Sequence, residues 1–293
     1  MVERLHKAIA KARAERQAKD GGNDPLSAPS SPSAPSQSAS TPSSLNQTEQ
    51  GEAPVAPGSE AWAALPALEL NATALDRNRI VSHDGQHPAR TSFDILRTRL
   101  LRLLADNHWK RLAITSSKKG AGKTFVALNL ALSLARNPDN RVMLVDLDLR
   151  APGLAKTLHW REPKLIEGFL AGEVAAEDYF LRIGGNLMVG LNTQRVPNSS
   201  ELILSAAARR SLDEAIERFQ PTVVLYDLPP LMVSDDTIGV LNLVDGALLV
   251  AAAGETRARE ITECERLVLE HTHLLGVILN KGEDGDAEQY GYG

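Results

Sequence analysis

Cysteine is almost missing from this chain, with one residue, Cys264, among 293. No intrachain disulfide can form, which fits a reducing compartment. No apolar run approaches the ~20 residues that a bilayer-spanning helix needs. The N-terminus lacks the apolar core of a signal peptide. Positive charge is not in excess either: the formal net charge of −5 removes a global electrostatic case for nucleic acid. No internal repeat is found. These absences read as a soluble, cytoplasmic protein with one large domain plus appendages, rather than two full domains.

What is present is concentrated at residues 116–124, Ser-Ser-Lys-Lys-Gly-Ala-Gly-Lys-Thr. The apolar run 111–115 precedes this stretch and the apolar-periodic run 125–135 follows it, so it reads as strand, glycine-bearing loop and helix. Gly120 and Gly122 allow main-chain N–H groups to close around phosphate oxygens. The helix opening near Thr124 directs its positive end at the same spot. Lys123 is placed to reach β- and γ-phosphates, and the Thr124 hydroxyl to ligand Mg²⁺. Ser117 stands where the G-x-x-x-x-G-K-[ST] pattern has glycine. Lys118 is an extra lysine, read either as a surface side chain or as a nucleotide ligand. The loop Ser117, Lys118, Lys119, Gly120, Ala121, Gly122, Lys123 and Thr124 is thus the candidate ATP site.

The chain divides into parts. In residues 1–19, Val2, Leu5, Ile9 and Ala12 fall on one helical face among Arg4, Lys7, Lys11, Arg13, Arg16 and Lys19. This basic amphipathic helix suits an acidic partner, weak membrane contact or plain solvation. Residues 20–60 are rich in Ser, Pro, Ala and Gln, and read as disordered linker. Residues 61–77 show no clear period and are grouped with it, giving a linker over 20–77. A core domain is expected over 78–282 and a Gly- and acid-rich tyrosine-bearing tail over 283–293.

Within the core, 87–107 reads as a helix entered through Pro88. Strands are expected at 111–115, 141–146, 186–191, 222–227, 244–251 and 275–280, several of them continuous Val/Ile/Leu runs. Helices are expected near 124–136, 199–218 and 257–272. The alternation predicts an α/β fold with a mostly parallel sheet of P-loop NTPase type and helices on both faces. Ligands of such sheets bind at strand carboxyl ends.

Two acidic motifs end strands there. In 142–152, Asp146 closes an apolar run and Asp148 follows two residues on. In 223–230, Asp227 ends another, in the position of a metal-binding acid. A buried carboxylate needs a cation or donor to answer it, so Asp146 and Asp227 are read beside the phosphates. Asp235 and Asp236 either touch the metal shell or cap a helix. Arg150 either orients Asp148 or binds phosphate. Asn280, at the end of the last strand, is placed to read a base.

The loop resembles the deviant phosphate loop of the partition and division-site ATPases, in which the early lysine, here Lys118, reaches the nucleotide of a facing subunit. The set 117–124, 142–152 and 223–230, together with 197–203 and 276–281, resembles the bacterial tyrosine autokinases (BY-kinases). The basic head and Ser/Pro linker are similar to the subgroup beside exosortase-type exopolysaccharide clusters. The resemblance covers roughly 88–282 and implies an ATP- and Mg²⁺-dependent kinase acting on its own C-terminal tyrosines. It further implies Lys123 and Thr124 as phosphate and Mg²⁺ residues, Asp146 as base and metal-site residue, Asp148 as its neighbour, Asp227 as metal ligand, and Tyr290 and Tyr292 as phosphoacceptors. The implied partners are the cytoplasmic segment of a membrane chain-length regulator and further copies of the chain, which places the protein peripherally at the inner membrane. Thr91 and Asp94 replace the glutamate and first arginine of the family's E-x-x-R-x-x-R assembly motif, leaving Arg97. The alternative is a MinD/ParA-like nucleotide-switched positioning ATPase without a protein substrate.

Overall fold

A computed structural model describes residues 59–82, 87 and 89–282. The basic head, most of the linker, and the tail with Tyr290 and Tyr292 lie outside the described residues. Three helices lead in: α1 (Ser59–Ala64), α2 (Ala72–Arg77) and α3 (Arg90–Asn107). Then come β1 (Arg111–Ser116), α4 (Lys123–Ala135), β2 (Val142–Asp146) and the short α5 (Leu154–Thr157), α6 (Ile166–Leu170) and α7 (Ala176–Tyr179). β3 (Leu181–Ile183), β4 (Leu187–Gly190), α8 (Ser199–Ile203), α9 (Ala206–Phe219) and β5 (Val223–Asp227) follow. The described residues close with α10 (Asp235–Leu241), β6 (Gly246–Ala252), α11 (Ala258–His271) and β7 (His273–Asn280).

Seven strands form one sheet in the order β3-β4-β2-β5-β1-β6-β7. Every neighbouring pair is parallel except β3 with β4. The central strands alternate between two cores, as a sheet buried on both faces must. Leu112, Ile114, Val142, Leu144, Val223 and Leu225 pack on the side of α2 to α5. Ala113, Met143, Val145, Val224 and Tyr226 pack on the side of α1, α6 and α9 to α11. The expected α/β sheet with helices on both faces is therefore what forms. None of the described helices is long and apolar enough to cross a membrane.

The structure corrects the linker boundary at 61–77. Trp62, Leu65, Leu68 and Leu75 are buried. The Trp62 indole N–H donates to the Phe219 carbonyl at the end of α9 over 2.6 Å. Leu68 N–H bonds the Arg182 carbonyl, and Arg182 N–H the Pro66 carbonyl, so this segment extends the sheet beyond β3. It shows no period because its apolar side chains meet two different surfaces instead of one helix face. The helix expected over 199–218 is two, because Ser205 caps α9 by accepting from Ala208 N–H. Asp94 accepts from Arg97, Arg136 and Ser133, tying α3 to α4. Arg97, left over from the assembly motif, also bonds the Ser133 carbonyl, so it is engaged within its own chain.

Candidate nucleotide site

The loop between β1 and α4 sits at the carboxyl end of the central strands. Ser116 Oγ donates to the Lys118 carbonyl and tightens its entry. Gly120 and Gly122 have φ of +87° and +93°, a region that costs other residues about 1–2 kcal/mol. Gly122 is further constrained: a Cβ there would lie 2.0 Å from Asn280 Nδ2. Ser117 is not in the left-handed region, which explains why serine serves where the pattern has glycine. Among the described residues no side chain caps α4, which leaves its first N–H groups at the loop free to act as an anion site.

The acidic motifs converge on this loop. Thr124 Oγ1 donates to Asp227 Oδ2 over 2.6 Å. Lys123, buried at 6% exposure, brings its ammonium to 3.5 Å from Asp148 Oδ2. Asp146 and Asp227 are register partners across β2 and β5. Asp146 accepts N–H bonds from Gly153, Leu154 and Asp148. These bonds wrap the turn after β2 around its carboxylate. Asp227 Oδ1 is buried without a hydrogen-bond partner among the described residues.

Burial, with the Asp227 charge next, pushes Asp146 well above the usual carboxylate range. Burial raises Asp227 to about 6, against the opposing pull of Lys123 and Thr124. Asp148 is also raised by burial and partly drawn down by Lys123. Three carboxylates thus share one buried region with a single lysine at contact distance, a donor set short of positive charge. An orphaned carboxylate oxygen beside a threonine hydroxyl fits Mg²⁺, which takes oxygen ligands from one or two carboxylates together with phosphates. The residues present therefore fit a magnesium-bound nucleoside triphosphate.

Other expected residues lie close by in different roles. Asn280 donates to the Ala121 carbonyl over 2.9 Å, so its amide props the loop. Asp235 and Asp236 accept from Arg150, and Ser199 and Ser200 donate to Asp236, so both aspartates serve the Arg150 clamp. Lys118 pairs with Glu260 at 2.6 Å, near the start of α11. Glu260, Ser199 and Ser200 escaped the sequence reading because each acts through a contact 35 or more positions away in the chain. A separate open groove of about 640 Å³ lies between α6, α7 and α9 and includes none of these groups among its lining residues.

A family model described as the CobQ/CobB/MinD/ParA nucleotide binding domain matches residues 112–291. Tyrosine-protein kinase YwqD of Bacillus subtilis is 26% identical over 220 residues, which cover 74% of this chain and 92% of that protein. Tyrosine-protein kinase etk of Escherichia coli K12 is 30% identical over 187 residues, covering 63% of this chain but only 25% of that longer protein. The solved kinase domain of the Escherichia coli tyrosine kinase ETK superposes with a TM-score of 0.62 at 29% identity, covering 70% of this chain and 80% of that domain.

Proposed function

The chain belongs to the CobQ/CobB/MinD/ParA nucleotide-binding domain family, and from that premise we propose that it is a protein-tyrosine kinase that transfers the γ-phosphoryl of ATP to tyrosines in the tail of a second copy. The observation that carries the reading is the convergence of Lys123, Thr124, Asp146, Asp148 and Asp227 at one strand-end site, in a chain whose relatives bear the name tyrosine-protein kinase. The tyrosine inventory supports it. Of four tyrosines, Tyr179 and Tyr226 are buried in the core, and burial raises the pKa of both phenols. Tyr290 and Tyr292 are then the acceptors.

Each residue has a definable task. The loop N–H groups and Lys123 bind and orient the phosphates. Thr124 and Asp227 would hold Mg²⁺, with Asp146 behind them. The metal would neutralise charge on the phosphate oxygens when bound. Asp146, whose proton affinity burial raises, is the proposed acceptor of the tyrosine proton. Asp148 holds Lys123 in place. The partner proposed is the cytoplasmic segment of a membrane chain-length regulator in exopolysaccharide export, which would bring the protein to the inner membrane.

A second reading, a nucleotide-switched positioning ATPase, is favoured by Lys118, which lies five residues ahead of Lys123, and by the MinD/ParA breadth of the family model. Incubation of the purified full chain with labelled ATP and Mg²⁺, with and without the regulator segment, separates the two. Label on Tyr290 or Tyr292 that Lys123→Met abolishes supports the kinase. ATP turnover without phosphotyrosine in either condition supports the switch.

A further inference from the structure

Lys123 pairs with Asp148 of the acid-motif turn, and the other cations of the phosphate loop and its surroundings differ in whether their charge is already answered. Lys118 is engaged by Glu260. Arg150 is engaged by Asp235 and Asp236. Lys119 and Arg195 are exposed, and neither has an ion-pair partner among the described residues. Lys119 belongs to the same loop as Lys123, whose ammonium lies 3.5 Å from Asp148, and stands four residues ahead of that lysine. The main chain at Arg195 runs beside the same turn, because the next residue, Val196, donates its N–H to the Leu149 carbonyl over 3.0 Å. Two unanswered positive charges therefore flank the turn that carries Asp146 and Asp148.

The sequence supplies a matching strip of opposite charge. Glu283, Asp284, Asp286 and Glu288 directly precede Tyr290, with no basic residue between them or after them. We propose that Lys119 and Arg195 select the acceptor, by pairing with the acidic stretch that leads Tyr290 of a second copy into the site. The substrate class is thus a tyrosine preceded by acidic residues. This inference rests on the kinase reading and deepens it. Solvent-exposed pairs of this kind are individually weak, so the recognition is additive, salt-sensitive and expressed in KM more than in kcat.

The test pairs two full-length chains. The enzyme chain carries Tyr290→Phe and Tyr292→Phe. The substrate chain carries Lys123→Met, with either the native tail or one in which Glu283→Gln, Asp284→Asn, Asp286→Asn and Glu288→Gln remove the charges. Neutralising the tail is expected to raise KM for the substrate chain about three- to tenfold, with KM for ATP unchanged. High salt should narrow the difference. Arg195→Gln in the enzyme chain should remove most of the native tail's advantage, and Lys119→Gln should reduce it further.

Equal KM for both tails, or an Arg195→Gln enzyme that discriminates as the unmodified one does, would overturn the proposal. So would phosphotyrosine that forms in the unmodified protein but never on the Lys123→Met copy, because the acceptor would then be served within one chain. No phosphotyrosine even in the unmodified protein is a different failure: it removes the kinase reading, and this inference with it.

Discussion

Thr124 donates its hydroxyl hydrogen to Asp227 across 2.6 Å, and that bond joins the first residues of α4 to the last residue of β5. Among the described residues it is the one hydrogen bond the Asp227 carboxylate receives, since Oδ1 has none. Thr124→Val should leave both oxygens unanswered in a fully buried position and cost about 1–3 kcal/mol. Thr124→Ser should restore the bond. Denaturant unfolding reads the stability, and Mg²⁺-dependent nucleotide binding should be lost in the valine variant and kept in the serine variant.

Gly122→Ala meets two obstacles at once, a φ of +93° and a contact 2.0 Å from Asn280 Nδ2. The variant should lose ATP affinity at least tenfold by equilibrium titration, because the loop has to open to admit the methyl group. Adding Asn280→Ala removes the contact but leaves the backbone strain of about 1–2 kcal/mol. The double variant should therefore recover part of the thermal stability and little of the affinity.

Asp236 predicts a pH dependence. Burial opposes its ionisation, yet hydrogen bonds from Arg150, Ser199 and Ser200 hold its pKa down to about 2. A carboxyl held below its unfolded value of 3.8 binds fewer protons folded than unfolded. Its contribution is complete above pH 4 and is lost as pH falls through 2. The shift is worth about 2 kcal/mol at neutral pH. Asp236→Asn should be less stable by that order at pH 7, with the gap closing toward pH 2 in paired unfolding curves.

Glu260 pairs with Lys118 at 2.6 Å, which occupies the ammonium of a phosphate-loop lysine. The Lys118 bond is also the main reason that the Glu260 carboxyl sits below its ordinary range. Glu260→Gln should free the ammonium and tighten ATP binding about threefold. The gain should vanish in a Lys118→Ala background. Titration of the four proteins of this cycle provides the measurement.

Legibility divided along the range of the contacts involved. β1, β2, β5 and β6 could be read because each is a continuous apolar run whose burial on two faces leaves no alternation. The loop and its two acids were legible because each motif is local. β3 was missed, since three residues carry no pattern and the strand exists through its antiparallel pairing with β4. The segment around Trp62 and Leu75 reads as linker because its anchors, the Phe219 carbonyl and the edge of β3, lie more than a hundred residues away. The sequence marks Asp235 and Asp236 as a pair and Arg150 apart from them. Their mutual clamp spans 85 and 86 positions, a distance at which spacing gives no information.

The register match of Asp146 with Asp227 sets two carboxyl groups side by side in the buried interior, where each ionises only against the other. Ionising both carboxyls costs a repulsion that a divalent ion would quench. Folding and metal uptake are then linked equilibria. The lifetime of this chain against cellular proteases should track the free magnesium and triphosphate around it, so the compartment's energy state would govern the protein's abundance before it governs its catalysis.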